Sequence, residues 1–325
     1  MSAPVSIFVE APARLHFGVL DLRGELGRRF GGLGAGIPQP SLLLEVAPAA
    51  DLSAEGPDSS RALEFARRFL AHHRLEAGAR LTVHRQIPPH SGLGSGTQLG
   101  MAVARALAEL YGLPTESLAL ARAVERGLRS AIGIWTFTLG GFIVEGGRRP
   151  GSEEIAPLVA RLPIPPEWRC VVAVPPGNPG LSGEAEASAF ERLPAPAAEQ
   201  VERVAHLVLM QLLPALVEGD LTSFGAALSA VQRITGSWFA AAQGGTFAPG
   251  LGERLVRCLG AWGAAGVGQS SWGPAVYGVV EGESAAAELA RRAGDLMGGS
   301  GLVFRGGFAP SGARVWRGGS PPLAD

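Results

Sequence analysis

The spacing of the apolar positions changes repeatedly along the first half of this chain, and the changes predict short strands interleaved with helices. Apolar residues at helical spacing predict helices at 60–73, 97–111 and 116–128. Residues 23–40 hold so many Gly and Pro that we expect a loop there, and we expect 129–134 to leave a helix and start a strand. Apolar runs bounded by Gly or Pro predict strands at Val5–Glu10, Leu15–Leu20, Ser41–Val46, Arg80–Arg85 and Gly140–Glu145.

The second half continues the mixture without a regular alternation of strand and helix. Helices are expected near 197–217, 220–233, 252–264 and 284–297. Strands are expected at Arg169–Val174, Val267–Gln269, Ala275–Glu281, Leu302–Arg305 and Ala313–Arg317. The irregular order predicts an α+β fold rather than a doubly wound sheet. Because 146–166 is rich in Gly and Pro, we expect two domains, at 1–160 and 161–325.

The basic residues narrow the possible chemistry more than the overall composition does. The 325 residues are 46% hydrophobic, enough for a large core, and 28 basic side chains nearly balance 29 acidic ones. The chain therefore lacks the net charge that would attract nucleic acid or an anionic membrane. All 28 basic residues are Arg. Without Lys the chain forms no Schiff base and has neither a Walker A loop nor the strand Lys of a protein kinase.

Cysteine usage and the apolar runs indicate where the protein works. Cys170 and Cys258 are far apart and form no CxxC pair, so a disulfide framework and a zinc ribbon are both unsupported. The N-terminal residues lack the basic and apolar regions of a signal peptide, and no apolar run is long enough to span a membrane. We therefore expect a cytoplasmic protein with small-molecule substrates and no nucleic-acid or membrane partner.

The strongest local signal is a Gly-rich loop that leads directly into an Ala- and Leu-rich helix. It reads IPPHSGLGSGTQ, from Ile87 to Gln98. Gly lets backbone N–H groups approach an anion, Ser95 and Thr97 add hydroxyl donors, and a helix N-terminus carries about half a positive charge. The loop predicts phosphate or diphosphate binding, with a plain Gly-rich turn capped by Thr97 as the alternative. The candidate residues are His90, Gly92, Gly94, Ser95, Gly96, Thr97 and Gln98.

Two further polar segments are candidates for the same site. Asp21 and Arg28 lie in a Gly-rich stretch and could hold a metal and clamp a phosphate or carboxylate, or form a surface ion pair. Gln269, Ser270 and Ser271 separate two apolar runs, which is typical of a turn that exposes donors or of a simple hairpin.

The order of these segments resembles that of the GHMP kinase superfamily, which includes galactokinase and the homoserine, mevalonate and phosphomevalonate kinases. The resemblance is closer to the β-ribofuranosylaminobenzene 5′-phosphate synthases of tetrahydromethanopterin biosynthesis. It spans most of the chain, and GLGSGTQ and GVGQSSWGP are its specific segments. The matching residues are Asp21–Leu22, Leu26–Arg28, Gly92–Gln98, Arg129–Ile134, Gly140–Gly147 and Gly266–Pro274.

This resemblance implies a fold, a reaction and a set of site residues. The fold would have a ribosomal S5-like N-terminal domain and a ferredoxin-like C-terminal domain. The reaction would join 4-aminobenzoate to 5-phosphoribosyl 1-diphosphate and release CO2 and diphosphate, in a homodimer that uses Mg²⁺. Asp21, as a tentative Mg²⁺ ligand, and Arg28 would be catalytic. Substrate or phosphate would contact His16, His90, Gly92, Gly94, Ser95, Gly96, Thr97, Gln98, Arg129, Gln269, Ser270 and Ser271.

Two alternatives remain open from the sequence. An ATP-binding small-molecule kinase of the same fold is one, although the superfamily loop typically reads GLGSSA where this chain has Gly96-Thr97-Gln98. Several of those kinases also use an N-terminal Lys, which this chain lacks. The other alternative is a relative that binds a phosphate compound without turning it over.

Overall fold

The computed structural model describes residues 5–177, 180, 188–190 and 192–318. Its strands are β1 (Ile7–Asp21), β2 (Phe30–Ala49), β3 (Ser53–Glu55), β4 (Gly78–Arg85), β5 (Phe142–Glu145), β6 (Leu158–Leu162), β7 (Trp168–Val174), β8 (Gly266–Gln269), β9 (Val276–Glu281), β10 (Leu302–Gly306) and β11 (Arg314–Arg317). Its helices are α1 (Ser59–His73), α2 (Ser95–Tyr111), α3 (Ser117–Ala123), α4 (Ile132–Leu139), α5 (Ala198–Leu207), α6 (Leu213–Glu218), α7 (Leu221–Gln243), α8 (Leu251–Ala261) and α9 (Glu283–Leu296), with a π-helical turn, Val208–Leu212, between α5 and α6.

The strands form two sheets, which confirms the α+β class. In the larger sheet the order is β11-β1-β2-β4-β3. Strand β5 also pairs with β2, along its first half, and β6 pairs with β5. All of its pairs are antiparallel except β3 with β4. The smaller sheet is antiparallel, in the order β10-β7-β9-β8. Helix α2 packs on β1 and β2, while α7 contacts both β8 and β1 and so links the two sheets.

The expectation of a loop at 23–40 is wrong for most of that segment. Strand β2 runs from Phe30 to Ala49 and pairs with β1 along nearly its whole length. The Gly residues permit this because helix α4 crosses β2 at very close range. A Cβ on Gly34 would lie 2.3 Å from Ile132 Cγ2 and 2.5 Å from the Leu15 carbonyl oxygen. Gly in a strand marks a close approach here rather than a loop.

Several other boundaries differ from the predictions. The strands predicted on either side of Pro12 are one strand, β1, with bulges at Pro12/Ala13 and His16/Gly18. Segment 129–134 starts helix α4 instead of a strand, and α3 ends at Ala123, well before the predicted end at 128.

The larger sheet takes strands from both sides of residue 160, where the sequence predicts a domain boundary. Strand β6 spans that position and pairs with β5, and β11 returns from the end of the chain to pair with β1 in the larger sheet. No helix in the described part of the chain combines the length and the apolar character needed to cross a bilayer.

Candidate active site

The Gly-rich loop packs against the turn after β8 through backbone contacts. Gly92 has φ +84°, and a Cβ there would lie 2.1 Å from the Ser270 carbonyl oxygen. The Ala275 N–H donates to the Ser91 carbonyl at 3.1 Å. Only Gly satisfies both the backbone angle and the space at position 92. The primary role of Gly92 is therefore to let the two segments meet.

Strand β1 joins these two segments through Arg14 and His16. The Arg14 N–H donates to the Leu93 carbonyl at 3.0 Å, and the Arg14 Nη1 donates to the Gly92 carbonyl. The His16 N–H donates to Ser270 Oγ at 3.0 Å, and that hydroxyl donates to the Gly92 carbonyl at 2.7 Å. The structure thus brings together the Gly-rich loop, the turn after β8 and the part of β1 around His16.

A cavity of about 720 Å³ opens where these segments meet. Five of the predicted site residues line it: His16, Thr97, Arg129, Gln269 and Ser271. Its volume lies within the range typical of small-molecule sites, which is about 300–1,000 Å³.

Cationic side chains line one part of this cavity, and two of them, Arg14 and Arg126, lie beside the start of α2. Arg68 and Arg129 complete the set, and Glu125 in the same lining pairs with Arg68 at 3.0 Å. Burial, followed by repulsion from Arg61 and Arg68, lowers the pKa of Arg126 to about 10. Like charges held together beside a helix N-terminus favour the binding of an anion. We refer to Arg14, Arg68, Arg126 and Arg129 as the arginine cluster.

Aromatic rings form another part of the lining. The Phe239 and Trp272 ring centroids are 4.8 Å apart, and Phe190 lies 5.3 Å from Trp272 and 5.7 Å from Phe30, all in edge-on or steeply tilted arrangements. Such rings offer a flat, apolar surface suited to another aromatic group. We refer to Phe30, Phe190, Phe239 and Trp272 as the aromatic wall.

Gln269 lines the cavity, but its amide is already occupied by the protein. Its Oε1 accepts from the Ala248 N–H at 2.6 Å, and its Nε2 donates to Gln243 Oε1 and to the Ser271 carbonyl at 3.1 and 3.0 Å. Gln269 therefore fixes the positions of the loops around the cavity.

The remaining predicted residues lie outside the cavity lining. Asp21 Oδ1 accepts from the N–H groups of Arg23 and Gly24 at 2.6 and 2.9 Å, and the exposed Arg28 donates to the Gly147 carbonyl at 3.1 Å. Gln98 is buried and donates to the Gly133 carbonyl at 2.9 Å. The residues outside the lining are Asp21, Arg28, His90, Gly92, Gly94, Ser95, Gly96, Gln98 and Ser270.

Two titratable groups next to the cavity have strongly shifted pKa values. Burial, followed by the charge of Arg14, lowers the pKa of His16 to about 3, so its imidazole is neutral at neutral pH. Burial raises the pKa of the Glu145 carboxyl to about 7, against the opposing effect of hydrogen bonds from Ser130 and from backbone N–H groups. Perturbed groups of this kind cluster at functional sites.

Sequence reasoning missed the arginine cluster apart from Arg129, all of the aromatic wall, and Glu145. Glu145 lies within Gly140–Gly147, a segment that carries the family resemblance, so a charged residue at the end of an apolar run was an available signal. The aromatic wall is drawn from four separate segments, which no local pattern connects.

The match to known families agrees with the fold and covers both halves of the chain. Residues 60–141 match the GHMP kinases N terminal domain, and residues 212–298 match the GHMP kinases C terminal domain. Mevalonate kinase from L. major superimposes with a TM-score of 0.70 at 17% identity, covering 93% of this chain and 96% of that one. Homoserine kinase from Cytophaga hutchinsonii gives 0.69 at 17% identity, covering 96% and 97%. At this identity the likeness concerns the fold, and it confirms the GHMP-kinase-like architecture.

Two archaeal proteins are similar over most of their length. The beta-ribofuranosylphenol 5′-phosphate synthase of Methanothermobacter thermautotrophicus is 34% identical over 324 residues, covering 93% of this chain and 97% of that protein. The protein of the same name from Archaeoglobus fulgidus is 32% identical over 296 residues, covering 87% and 91%.

Proposed function

Because this chain belongs to the beta-ribofuranosylphenol 5′-phosphate synthase family, we propose that it is a decarboxylating pentosyltransferase of tetrahydromethanopterin biosynthesis. It joins 5-phosphoribosyl 1-diphosphate to a para-substituted benzoate and releases CO2 and diphosphate. The observation that carries this proposal is the cavity itself, whose lining contains both the arginine cluster and the aromatic wall. A site that holds a polyanion beside a benzene ring needs both.

The arginine cluster and the start of α2 suit the diphosphate group. As diphosphate leaves, positive charge develops on the anomeric carbon of the ribose and negative charge on the departing oxygens. Guanidinium groups and backbone N–H donors stabilise those oxygens as the bond breaks. An anion bound there would also relieve the repulsion that lowers the pKa of Arg126. Thr97, His16, Arg129 and Ser271 are the predicted contacts that share this lining.

The aromatic wall suits the benzoate ring. The group that this ring carries para to the carboxylate is the part of the substrate to be tested. The sequence resemblance implies 4-aminobenzoate, and we keep it as the first candidate. The name of the archaeal relatives specifies a phenol product, which the same reaction would form from 4-hydroxybenzoate. Both substituents push electron density to the ring carbon that bears the carboxylate, which is the atom that attacks the ribose. Holding the two substrates in position supplies up to about 7–11 kcal/mol of the barrier lowering.

The catalytic roles of Asp21 and Arg28 and the use of Mg²⁺ remain proposals. Among the described residues no group of three His, Cys, Asp or Glu side chains could hold a metal ion. Asp21 Oδ1 is engaged by two backbone N–H groups. The residues present therefore do not fit a metal held by the protein alone. We propose instead that Mg²⁺ arrives as the counter-ion of the diphosphate.

The other predicted contacts act through the architecture of the loop in this proposal. Gly92, Gly94 and Ser270 hold the loop against β1 and the turn after β8, and Gln98 fixes α2 to α4. Ser95 and Gly96 form the first turn of α2 and present its N–H groups to an anion, and His90 accepts from the Gly180 N–H through its backbone carbonyl.

Release of labelled CO2 tests the function directly. The enzyme is incubated with carboxyl-labelled 4-aminobenzoate or 4-hydroxybenzoate, with Mg²⁺, and with or without 5-phosphoribosyl 1-diphosphate. We expect CO2 from at least one acid, only when the diphosphate substrate is present, with one diphosphate formed per CO2. Absence of CO2 from both acids would overturn the proposal. ATP consumption with sugars, homoserine or mevalonate derivatives would instead establish the kinase alternative.

We also propose that the enzyme is a homodimer. Leu209, Met210 and Val217 are large apolar side chains on the π-helical turn and α6, and each is exposed. Sedimentation velocity on the full chain tests this, and a single species of the monomer mass across the micromolar range would contradict it.

A further inference from the structure

A buried acid lies directly behind the wall of the cavity. Glu145 ends strand β5 with its side chain fully buried, and its Oε1 accepts from the Ala131 N–H at 3.3 Å. Its Oε2 is buried and makes no hydrogen bond of ordinary geometry among the described residues. An unsatisfied buried oxygen of this kind is costly and is typical of functional positions.

Ser130 connects this acid to the cavity. Ser130 lines the cavity, and its Oγ lies 3.4 Å from His16 Nε2. The Ser130 hydroxyl also favours the ionised Glu145 carboxyl, against the burial that raises the pKa of that group. Ser130 Oγ also accepts from the Ile132 N–H at 3.3 Å, which fixes the hydroxyl at the start of α4. A ligand in the cavity therefore reaches Glu145 through one hydroxyl group.

Gly32 explains how the acid and the imidazole come so close across strand β2. A Cβ on Gly32 would lie 3.3 Å from Glu145 Oε1 and 3.3 Å from His16 Nε2. Gly32 pairs with Glu145 on one side and with Val19 of β1 on the other. The absence of a side chain at this position leaves both polar groups on the same face of the sheet.

The charged and titratable groups around Glu145 determine whether Glu145 or His16 can take up a proton. His16 faces it from β1 and is neutral, because burial and Arg14 lower its pKa to about 3. Arg148 follows β5 and favours the ionised carboxylate, but burial dominates and raises the pKa of Glu145 to about 7. A proton acceptor works best when its pKa is close to the working pH. Of these two shifted groups, Glu145 is the one able to take up a proton near neutral pH.

We propose that Glu145, acting through Ser130, accepts a proton from the para substituent of the arene while the ring attacks the ribose. This inference rests on the proposed function. The ring carbon bearing the carboxylate forms a bond to the anomeric carbon, and the carbon–oxygen bond to diphosphate breaks with its electron pair. The substituent passes its proton to Ser130 Oγ as Ser130 passes its own to the Glu145 carboxylate. The carbon–carboxylate bond then breaks, its electrons restore the aromatic ring, CO2 leaves, and the proton returns along the same path.

The pH dependence of Glu145→Gln tests this assignment. For the wild-type enzyme we expect kcat to rise with pH through a pKa near 7, because the carboxylate must be ionised to accept the proton. In Glu145→Gln the amide oxygen still accepts from the Ala131 N–H, but we expect kcat to fall about 10²-fold and the limb near pH 7 to disappear. The KM for 5-phosphoribosyl 1-diphosphate should stay unchanged. Glu45→Gln, on β2 beside Ser6 and His84, is the matched control and should keep wild-type kinetics and the limb.

Ser130→Ala supplies a second variant if Glu145→Gln folds poorly. Ser130→Ala breaks the path between the cavity and Glu145 while leaving Glu145 in place. The double variant with Glu145→Gln should lose no more activity than either single variant. A wild-type limb near pH 7 in both variants, or equal loss of kcat at every pH, would overturn the inference. If only this inference fails, the wild-type enzyme still releases CO2. If the proposed function fails, the wild-type enzyme itself releases no CO2.

Discussion

Ser270 and Gly92, 178 residues apart in the chain, are joined by a 2.7 Å hydrogen bond from the Ser270 hydroxyl to the Gly92 carbonyl. The same hydroxyl accepts from the His16 N–H at 3.0 Å, so one buried side chain ties three segments together. The cavity owes its shape to this junction, because each segment contributes part of its lining. Ser270, which the sequence predicted to contact a ligand, therefore holds the three segments of the site together.

Ser270→Ala is expected to lower both stability and activity without removing any group that lines the cavity. It leaves the His16 N–H and the Gly92 carbonyl without this partner inside the protein, at a cost of about 1–3 kcal/mol. Denaturant unfolding measures the loss, and the exposed Ser237→Ala on α7 is the control, expected within about 0.5 kcal/mol of wild type. Equal unfolding free energies for the two variants would contradict the role given to Ser270.

Local sequence signals predicted the elements well and their connections poorly. Helix α2 and strands β4, β7 and β9 follow from apolar spacing with nearby Gly or Pro, and the structure confirms them. The Gly run of β2 misled us, because its meaning depends on helix α4, about 100 residues later in the chain. In the site, the motif segments were predictable from the residues they contain. The aromatic wall was not, since its rings meet only once both sheets and α7 have assembled.

Gly96→Ala tests anion binding by the Gly-rich loop without disturbing the packing of that loop. Gly96 lies in the first turn of α2 without a positive φ, and a Cβ there would meet only guanidinium atoms of Arg126 and Arg61, at 3.7 Å or more. We expect unchanged stability or a gain of up to about 1 kcal/mol from helix propensity. The KM for 5-phosphoribosyl 1-diphosphate should rise, because the methyl group occupies the space between the helix start and the arginines. Gly92→Ala, by contrast, should unfold more easily by at least about 1–2 kcal/mol from its φ alone. An unchanged KM in Gly96→Ala would argue against anion binding here.

Arg126→Gln is expected to weaken binding of the diphosphate substrate while leaving the free enzyme at least as stable. Burial and the charges of Arg61 and Arg68 disfavour the Arg126 cation, so its removal relieves repulsion, although its contact with the Phe65 ring at 4.6 Å is lost. A charged hydrogen bond to phosphate contributes about 1.5–3 kcal/mol, which predicts a KM increase of about 10–100-fold. Steady-state kinetics with each substrate varied in turn measures the effect. The exposed Arg122→Gln on α3 should match wild type, and a rise confined to the arene KM would reverse the assignment.

Phe239→Leu is expected to raise the KM for the arene and to leave the KM for the diphosphate substrate unchanged. The Phe239 ring is half-buried in the cavity wall and lies 4.8 Å from Trp272. Ring contacts contribute about 0.5–1.5 kcal/mol beyond area burial, so the KM should rise about 3–10-fold. Phe304→Leu on β10, also partly buried but away from the cavity, controls for the loss of a ring. An arene KM that moves equally in both variants would show that the aromatic wall does not hold the substrate.

The buried acid should also make stability depend on pH in a direction that can be measured. Because the pKa of Glu145 is raised to about 7 in the folded protein, the folded state binds a proton that the unfolded state releases between about pH 4.5 and 7. The contribution of this carboxyl to stability therefore falls as pH rises through that window. Glu145→Gln has no such penalty, so its unfolding free energy relative to wild type should increase by roughly 2–3 kcal/mol from pH 5 to pH 8. Protonation of His16, whose pKa is lowered to about 3, destabilises both proteins as pH falls below about 6.5 and cancels in the difference. Urea unfolding at both pH values gives the comparison, and a difference that is the same at pH 5 and pH 8 would mean that Glu145 keeps an ordinary pKa.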